Sequence, residues 1–129
     1  MQWIWIALGG ALGSMARYFA QSRIQASQAG QFPMGTLSVN LIGSMVIGFL
    51  AGWFLSNPVS QHLRLFLIVG ILGGFTTFSS FSLDALNLLR DGQVRTAVYY
   101  VSASNLGGIA LAYGGFLLAR ALARSALGS

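Results

Sequence analysis

The sequence predicts an all-α membrane protein that crosses the bilayer four times. Of its 129 residues, 55% are hydrophobic and only 7% are charged, whereas soluble domains carry about 25% charged residues. Four long apolar segments follow one another along the chain, with short polar stretches between them. Each segment approaches the roughly 20 apolar residues that a helix needs to cross the hydrocarbon core. Lipid is therefore the predicted surrounding of most of the surface.

The four predicted spans form a single domain over residues 1–129. Turn-forming residues separate them, with Pro33 before the second span, Pro58 after it and Gly92 before the fourth. The predicted spans are residues 2–21, 35–55, 63–89 and 94–118. Short connections of this kind join neighbouring helices that run in opposite directions.

Arginine placement bears on orientation in the membrane, since basic residues usually concentrate on the cytoplasmic side. With four spans, one side holds Arg17, Arg23, Arg90 and Arg95, and the other holds Arg64, Arg120 and Arg124. Four against three gives almost no bias, which predicts insertion in both orientations. Four helices are also too few to enclose a polar pathway alone. The combined prediction is an antiparallel, dual-topology homodimer.

Composition excludes several classes of function. The net charge of +5 does not indicate nucleic-acid binding, because the arginines are scattered singly between apolar segments instead of forming a basic face. Cysteine is absent, and there is one histidine and two acidic residues, too few for a catalytic cluster. The sequence therefore predicts a multi-pass protein of a cell inner membrane or plasma membrane, surrounded by lipid, that is not an enzyme and binds no nucleic acid.

The third span contains polar sequence that is unusual at membrane depth. Gly73-Gly74 is followed by five hydroxyl residues before the span becomes apolar again. A glycine pair weakens a helix, and hydroxyl side chains can satisfy the backbone groups that are released. We predict a break at mid-membrane, with free carbonyl oxygens near Gly73 and Thr76 that suit a hard cation such as Na⁺. A packed kink without an ion is the alternative that the residues alone leave open.

Uncharged donors accompany this segment. Phe78 and Phe81 lie three residues apart on one helix face, and the edge of an aromatic ring is positive. Asn40 is a buried amide in the second span, and Tyr100 and Ser104 lie one turn apart in the fourth. Buried polar groups are costly in a membrane and indicate a permeation path. Donors without carboxylates favour an anion in that path.

Two motifs carry a family resemblance. Residues 35–40 (GTLSVN) and residues 73–82 (GGFTTFSSFS) closely resemble those of the Fluc (CrcB) fluoride channels, and the resemblance covers nearly the whole chain. It implies a fluoride-selective channel that exports fluoride passively across the cell membrane. It also implies an antiparallel homodimer with two separate pores and a central structural Na⁺ at the dimer interface.

The resemblance also assigns individual residues. Phe78 and Phe81 match paired phenylalanines whose ring edges line the ion path, and Asn40 matches a pore asparagine. The carbonyls of Gly73 and Thr76, two from each subunit, match the ligands of the Na⁺. The other residues implied for the fluoride pathway are Arg17 near a vestibule, Thr77, Ser79, Ser80, Tyr100 and Ser104. The chain departs from the family at Gly108, where the next serine of the fourth-helix polar track is expected.

Two other interpretations compete with the channel. A small dual-topology proton-coupled multidrug transporter needs an intramembrane carboxylate, which that family carries in its first helix. The first span here has none, and Asp84 lies in the third. A purely structural oligomerisation module would explain the small residues spaced four apart, such as Gly48 and Gly52. It would not explain the hydroxyl-rich third span.

Overall fold

The computed structural model describes residues 1–128, which are helical apart from short connections. The helices in chain order are α1 (Gln2–Ala26), α2 (Met34–Ser56), α3 (Gln61–Arg64), a π-helix (Leu65–Leu72), α4 (Gly73–Phe75), α5 (Phe78–Arg90) and α6 (Val94–Leu127). From α3 to α5 they form one long unit, interrupted only at Thr76 and Thr77. The prediction of an all-α fold with a broken third helix is confirmed.

Three helical units are long and apolar enough to cross a membrane, namely Met34–Ser56, Gln61–Arg90 and Val94–Leu127. These make the chain a multi-pass membrane protein. The first helix is 25 residues long but is not among the three, since Arg17 and several glutamines make it more polar. A fourth crossing by α1 therefore stays a prediction.

Helices α2 and α6 pack so closely that glycine is required where they meet. A Cβ atom added at Gly48 would collide with the carbonyl of Ala112, and one added at Gly115 would collide with the carbonyl of Met45. Small residues allow such close approach in lipid, where the hydrophobic effect does not drive helices together. The pair provides a rigid frame beside the broken helix.

Helix α1 packs in the same way against the π-helix. A Cβ atom at Gly70 would lie 2.8 Å from the Cα atom of Gly9, and one at Gly13 would collide with the carbonyl of Ile71. π-Helical backbone is rare and is frequently found at functional sites. The first half of the broken unit thus rests on α1.

The interior of the chain is small. One cluster of buried side chains joins α2, α5 and α6 through Leu37, Leu88, Ala97 and Tyr100. Large apolar side chains such as Leu106 are instead exposed over most of their surface. Apolar surface on this scale is covered by lipid or by another protein surface in a membrane protein.

Candidate ion-binding site at the helix break

The break in the third helical unit lies at the two threonines of the predicted segment. Gly73 and Gly74 are helical, and the extended residues are Thr76 (φ −86°, ψ 156°) and Thr77 (φ −150°, ψ 115°). The predicted break is confirmed, with Thr76 and not a glycine as its first extended residue. The Leu72 carbonyl accepts both from the Thr76 amide at 3.0 Å and from the Thr76 hydroxyl at 2.9 Å, a local side-chain bond typical of threonine in a helical turn.

The hydroxyl groups after the break start the next helix. Thr77 is the N-cap of α5, and its Oγ1 atom accepts a hydrogen bond from the Ser80 amide at 3.2 Å. Such a bond satisfies one of the amides that a helix start leaves free. The Thr77 hydroxyl also donates to the Ser80 hydroxyl at 3.1 Å and lies 3.4 Å from that of Ser79. The hydroxyls predicted for the ion pathway therefore also determine where α5 begins.

Asn40 holds the extended backbone at the break through two hydrogen bonds. Its Nδ2 atom donates to the Thr77 carbonyl at 3.0 Å, and the Thr77 amide donates to its Oδ1 atom at 2.8 Å. The side chain thereby replaces helical bonds that the extended residues cannot make. An amide nitrogen has two hydrogens, so one remains for another acceptor.

Arg17 reaches the break from α1. Its Nε atom donates to the Gly74 carbonyl at 3.0 Å. A helix end leaves four carbonyls without an intrahelical partner, here those of residues 73–76, because the Thr76 amide still donates to the Leu72 carbonyl at 3.0 Å. Gly74 obtains a partner in Arg17, and Gly73, Phe75 and Thr76 are the other three. A cation at this position is favourable because the carbonyl end of a helix is negative.

Two open cavities lie on either side of the break. The first, which we call the groove, has a volume of about 390 Å³ and contains seven predicted site residues. These are Asn40, Gly73, Thr76, Thr77, Phe78, Phe81 and Ser104. The second, which we call the basin, has a volume of about 670 Å³ and is lined by Arg17, Gln21, Ser80, Asp84 and neighbouring residues. Of the predicted residues, Ser79 and Tyr100 line neither cavity.

The two phenylalanines lie side by side at the edge of the groove. Their ring centroids are 5.5 Å apart and the rings are tilted by 44°. Phe81 is half-buried, and its ring centroid is 5.4 Å from that of Tyr100. Phe78 is 78% exposed. Tilted rings can turn their positive edges towards an anion.

The polar residues of α6 differ in their hydrogen bonding. Tyr100 is fully buried, and its hydroxyl donates to the Asp84 carboxylate at 3.2 Å. Ser104 lines the groove, and its hydroxyl oxygen is buried without a partner among residues 1–128. A Cβ atom at Gly108 would lie 3.3 Å from the Ser44 hydroxyl, which is therefore close to the place where the resemblance expects a serine.

Comparison with known proteins identifies the family of the chain. The family described as CrcB-like protein, Camphor Resistance (CrcB), matches residues 4–116, which is most of the chain. The chain belongs to the CrcB family. Its relatives in the family are named as channels and not as enzymes.

Several CrcB-family relatives match along nearly their whole length. A protein of Stutzerimonas stutzeri named fluoride-specific ion channel FluC is 47% identical over 116 residues, which cover 89% of this chain and 94% of the relative. A protein of the same name from Thermus thermophilus is 46% identical over 121 residues, covering 94% and 97%. One from Rhodopseudomonas palustris is 44% identical over 126 residues, covering 97% and 98%.

Several residues that line the two cavities were not predicted as site residues from the sequence. Gly43, Ser44 and Asn105 line the groove, and Asp84 lines the basin as the acceptor for Tyr100. Residues three and four apart share a helix face, so the spacing from Asn40 could have indicated the two α2 residues. No sequence signal joins Asp84 to Tyr100, since they lie on different helices.

Gly43 supports the break by making room for Thr76. A Cβ atom at Gly43 would collide with the Thr76 methyl group. We expect Gly43→Ala to lower the melting temperature of the purified protein, with an overpacking cost of about 1–3 kcal/mol. Adding Thr76→Ser, which removes that methyl and keeps the hydroxyl, should restore most of the loss. A double variant no more stable than Gly43→Ala would show that another contact of Gly43 matters.

Proposed function

We propose that this chain forms a fluoride-selective channel that lets fluoride leave the cell passively. The groove carries the proposal, because it combines an amide, two aromatic rings and the unpartnered Ser104 hydroxyl without any acidic residue in its lining. The relatives named above are fluoride-specific ion channels, which agrees with that chemistry.

Fluoride is a small, strongly hydrated anion, so a pore must replace its water with several donors. The spare hydrogen of Asn40, the Ser104 hydroxyl and the ring edges of Phe78 and Phe81 are donors of this kind. None carries a full charge, and each is therefore weak enough to release the ion again. Passage requires entry that is favourable and exit that is not too slow.

The basin gives the proposed pathway a second entrance. Thr77 lines the groove and Ser80 lines the basin, and their hydroxyls are hydrogen-bonded at 3.1 Å. A hydroxyl can both donate and accept, so this pair offers donors between the two cavities. Arg17 uses its Nε atom for Gly74, and its other guanidinium hydrogens can attract anions into the basin.

We propose that two copies assemble as an antiparallel homodimer with two pores. The groove is open, and both Phe78 and Gly73 are exposed in a single chain. Backbone groups at a helix break beside a permeation path need protein cover at membrane depth. A second copy in the opposite orientation, as the balanced arginine count predicts, would provide it. Each groove would then form one pore.

A central structural Na⁺ is part of the same proposal. The Gly73 carbonyl lies at the helix end and the Thr76 carbonyl at the extended residue that follows. Backbone oxygens of broken helices suit Na⁺. One chain supplies only two of them, so the donors fit an ion shared by two copies. When bound, Na⁺ offsets the negative ends of the broken helices and joins the subunits.

The multidrug transporter has less support. Its mechanism requires a carboxylate that exchanges protons in the substrate path. Asp84 accepts a hydrogen bond from Tyr100 and lies in the basin, not in the groove.

Liposomes that contain the purified protein should release fluoride at least ~100-fold faster than chloride, which corresponds to about 2.7 kcal/mol between the two barriers. A fluoride electrode and a chloride electrode measure the release after valinomycin is added to potassium-loaded vesicles. Protein-free vesicles serve as the control for leakage. Equal rates for the two anions would overturn the selectivity.

A further inference from the structure

We propose that Asn40 is a positioning residue for the cation site, because its hydrogen bond to Thr77 orients the Thr76 carbonyl. The inference rests on the sodium site of the proposed function. It gives Asn40 a role that its place in the anion pathway does not include. The two ions would then depend on one side chain.

The argument begins with a single peptide plane. The Thr76 carbonyl and the Thr77 amide belong to the same peptide unit, which is planar. No cis peptide bond occurs in residues 1–128, so the carbonyl and the N–H point in opposite directions. Since the Thr77 N–H points at Asn40 Oδ1 at 2.8 Å, the Thr76 oxygen points away from Asn40. Losing that bond frees the plane to rotate.

The two hydrogen bonds of Asn40 have different roles: the bond from the Thr77 amide to Oδ1 orients the Thr76 carbonyl, and the bond from Nδ2 to the Thr77 carbonyl selects which end of the side-chain amide faces the N–H. The Thr77 amide can only donate and the Thr77 carbonyl can only accept. The side-chain amide satisfies both groups in one orientation, with Oδ1 towards the N–H and Nδ2 towards the carbonyl. Thr77 has extended backbone and is the N-cap of α5, so its amide has no helical acceptor in place of Asn40 Oδ1.

Asn40 is itself held in a fixed position. It lies on α2, whose close packing on α6 leaves no space for a side chain at Gly48 or Gly115. Three residues after it, Gly43 receives the Thr76 methyl group. One face of α2 therefore contacts both extended residues of the break. The position of a cation ligand is set by α2, although the ligand belongs to another helical unit.

Two substitutions separate the cation role from the anion role. Asn40→Leu has a similar volume and makes neither hydrogen bond. Asn40→Asp keeps an oxygen that accepts from Thr77 but adds a negative charge that repels fluoride. Asn105→Ala is the matched control, since Asn105 also lines the groove and donates to a backbone carbonyl, that of Val101 at 2.8 Å.

The measurement is the melting temperature of the full-length protein, purified without sodium, in NaCl and in N-methylglucamine chloride at equal ionic strength. A ligand that binds only the folded protein raises this temperature. The wild type, Asn40→Asp and Asn105→Ala should all melt higher in NaCl, and Asn40→Leu should lose this difference. Asn40→Asp should also lose fluoride flux in liposomes. A general loss of stability would lower both temperatures and leave the difference unchanged.

If NaCl raised the melting temperature of Asn40→Leu as much as that of the wild type, the inference would be overturned and the sodium site would still stand. If Asn40→Leu does not fold, Asn40→Asp decides the question: a preserved sodium difference without flux supports the inference, and a lost difference overturns it. A wild type that does not respond to sodium would refute the sodium site, and the inference with it. Fluoride selectivity in liposomes would still stand in that case.

Discussion

Replacing Phe81 by isoleucine is expected to reduce fluoride flux about tenfold or more, which corresponds to ~1.4 kcal/mol on the barrier. Isoleucine fills a similar space but has no ring edge with which to meet an anion. Phe81 lies between Phe78 and Tyr100, at centroid distances of 5.5 and 5.4 Å. Its removal therefore interrupts the aromatic surface in its middle. Fluoride efflux from liposomes measures the effect.

Phe78→Ile should reduce flux as well, with little change in the stability of a single chain, since Phe78 is 78% exposed. Size-exclusion chromatography checks that the proposed dimer is intact in both variants. Phe19→Ile is the control: Phe19 is 63% exposed on α1 and lines neither the groove nor the basin. Wild-type flux in Phe81→Ile, or equal losses in all three variants, would contradict an aromatic role in permeation.

Gly115→Ala is expected to be strongly destabilising in the α2–α6 frame that holds the site. The added methyl group would collide with the carbonyl of Met45 and lie 2.9 Å from the amide of Phe49. Both obstacles are backbone atoms, so the two helices must separate. We expect a loss of about 3 kcal/mol, the upper range for overpacking, and a lower yield of folded protein in detergent.

The neighbouring glycine is the matched control. A Cβ atom at Gly114 would meet no atom within 4 Å, and alanine is favoured over glycine in a helix by about 1 kcal/mol. Gly114→Ala should therefore melt at or above the wild-type temperature. Unfolding followed by tryptophan fluorescence compares the two variants. Equal destabilisation by both would show that general helix effects dominate over the contact between α2 and α6.

Much of this architecture could be predicted from composition and motifs. The apolar segments predicted an all-α membrane fold, and the GTLSVN and GGFTTFSSFS segments predicted the family. One point stays a prediction, the fourth crossing, because α1 is more polar than the other long helices. The number of crossings depends on a small difference in polarity that a count of apolar residues does not resolve.

Other features could not be predicted because they depend on contacts between helices. The glycine pair indicated a break, but glycine can also remain helical, and hydrogen bonds from Asn40 and Thr76 place the break later. Tyr100 was predicted as a donor to the ion, yet its hydroxyl donates to the Asp84 carboxylate instead. These hydrogen-bond partners depend on how helices that are distant in sequence pack together, and the periodicity of a single helix cannot predict that packing.

Helix α6 has 34 residues and would measure roughly 51 Å at 1.5 Å per residue, whereas the hydrocarbon core is about 30 Å thick. A tilt of about 20° takes up only a small part of the difference. Its last turns, with Arg120 and Arg124, therefore stand in the headgroup layer or in water. In the proposed antiparallel pair, each face of the membrane would carry one such end. A protease that cannot cross the membrane, added to sealed vesicles, should then cut the C-terminal turns of about half the copies and spare the rest until detergent is added.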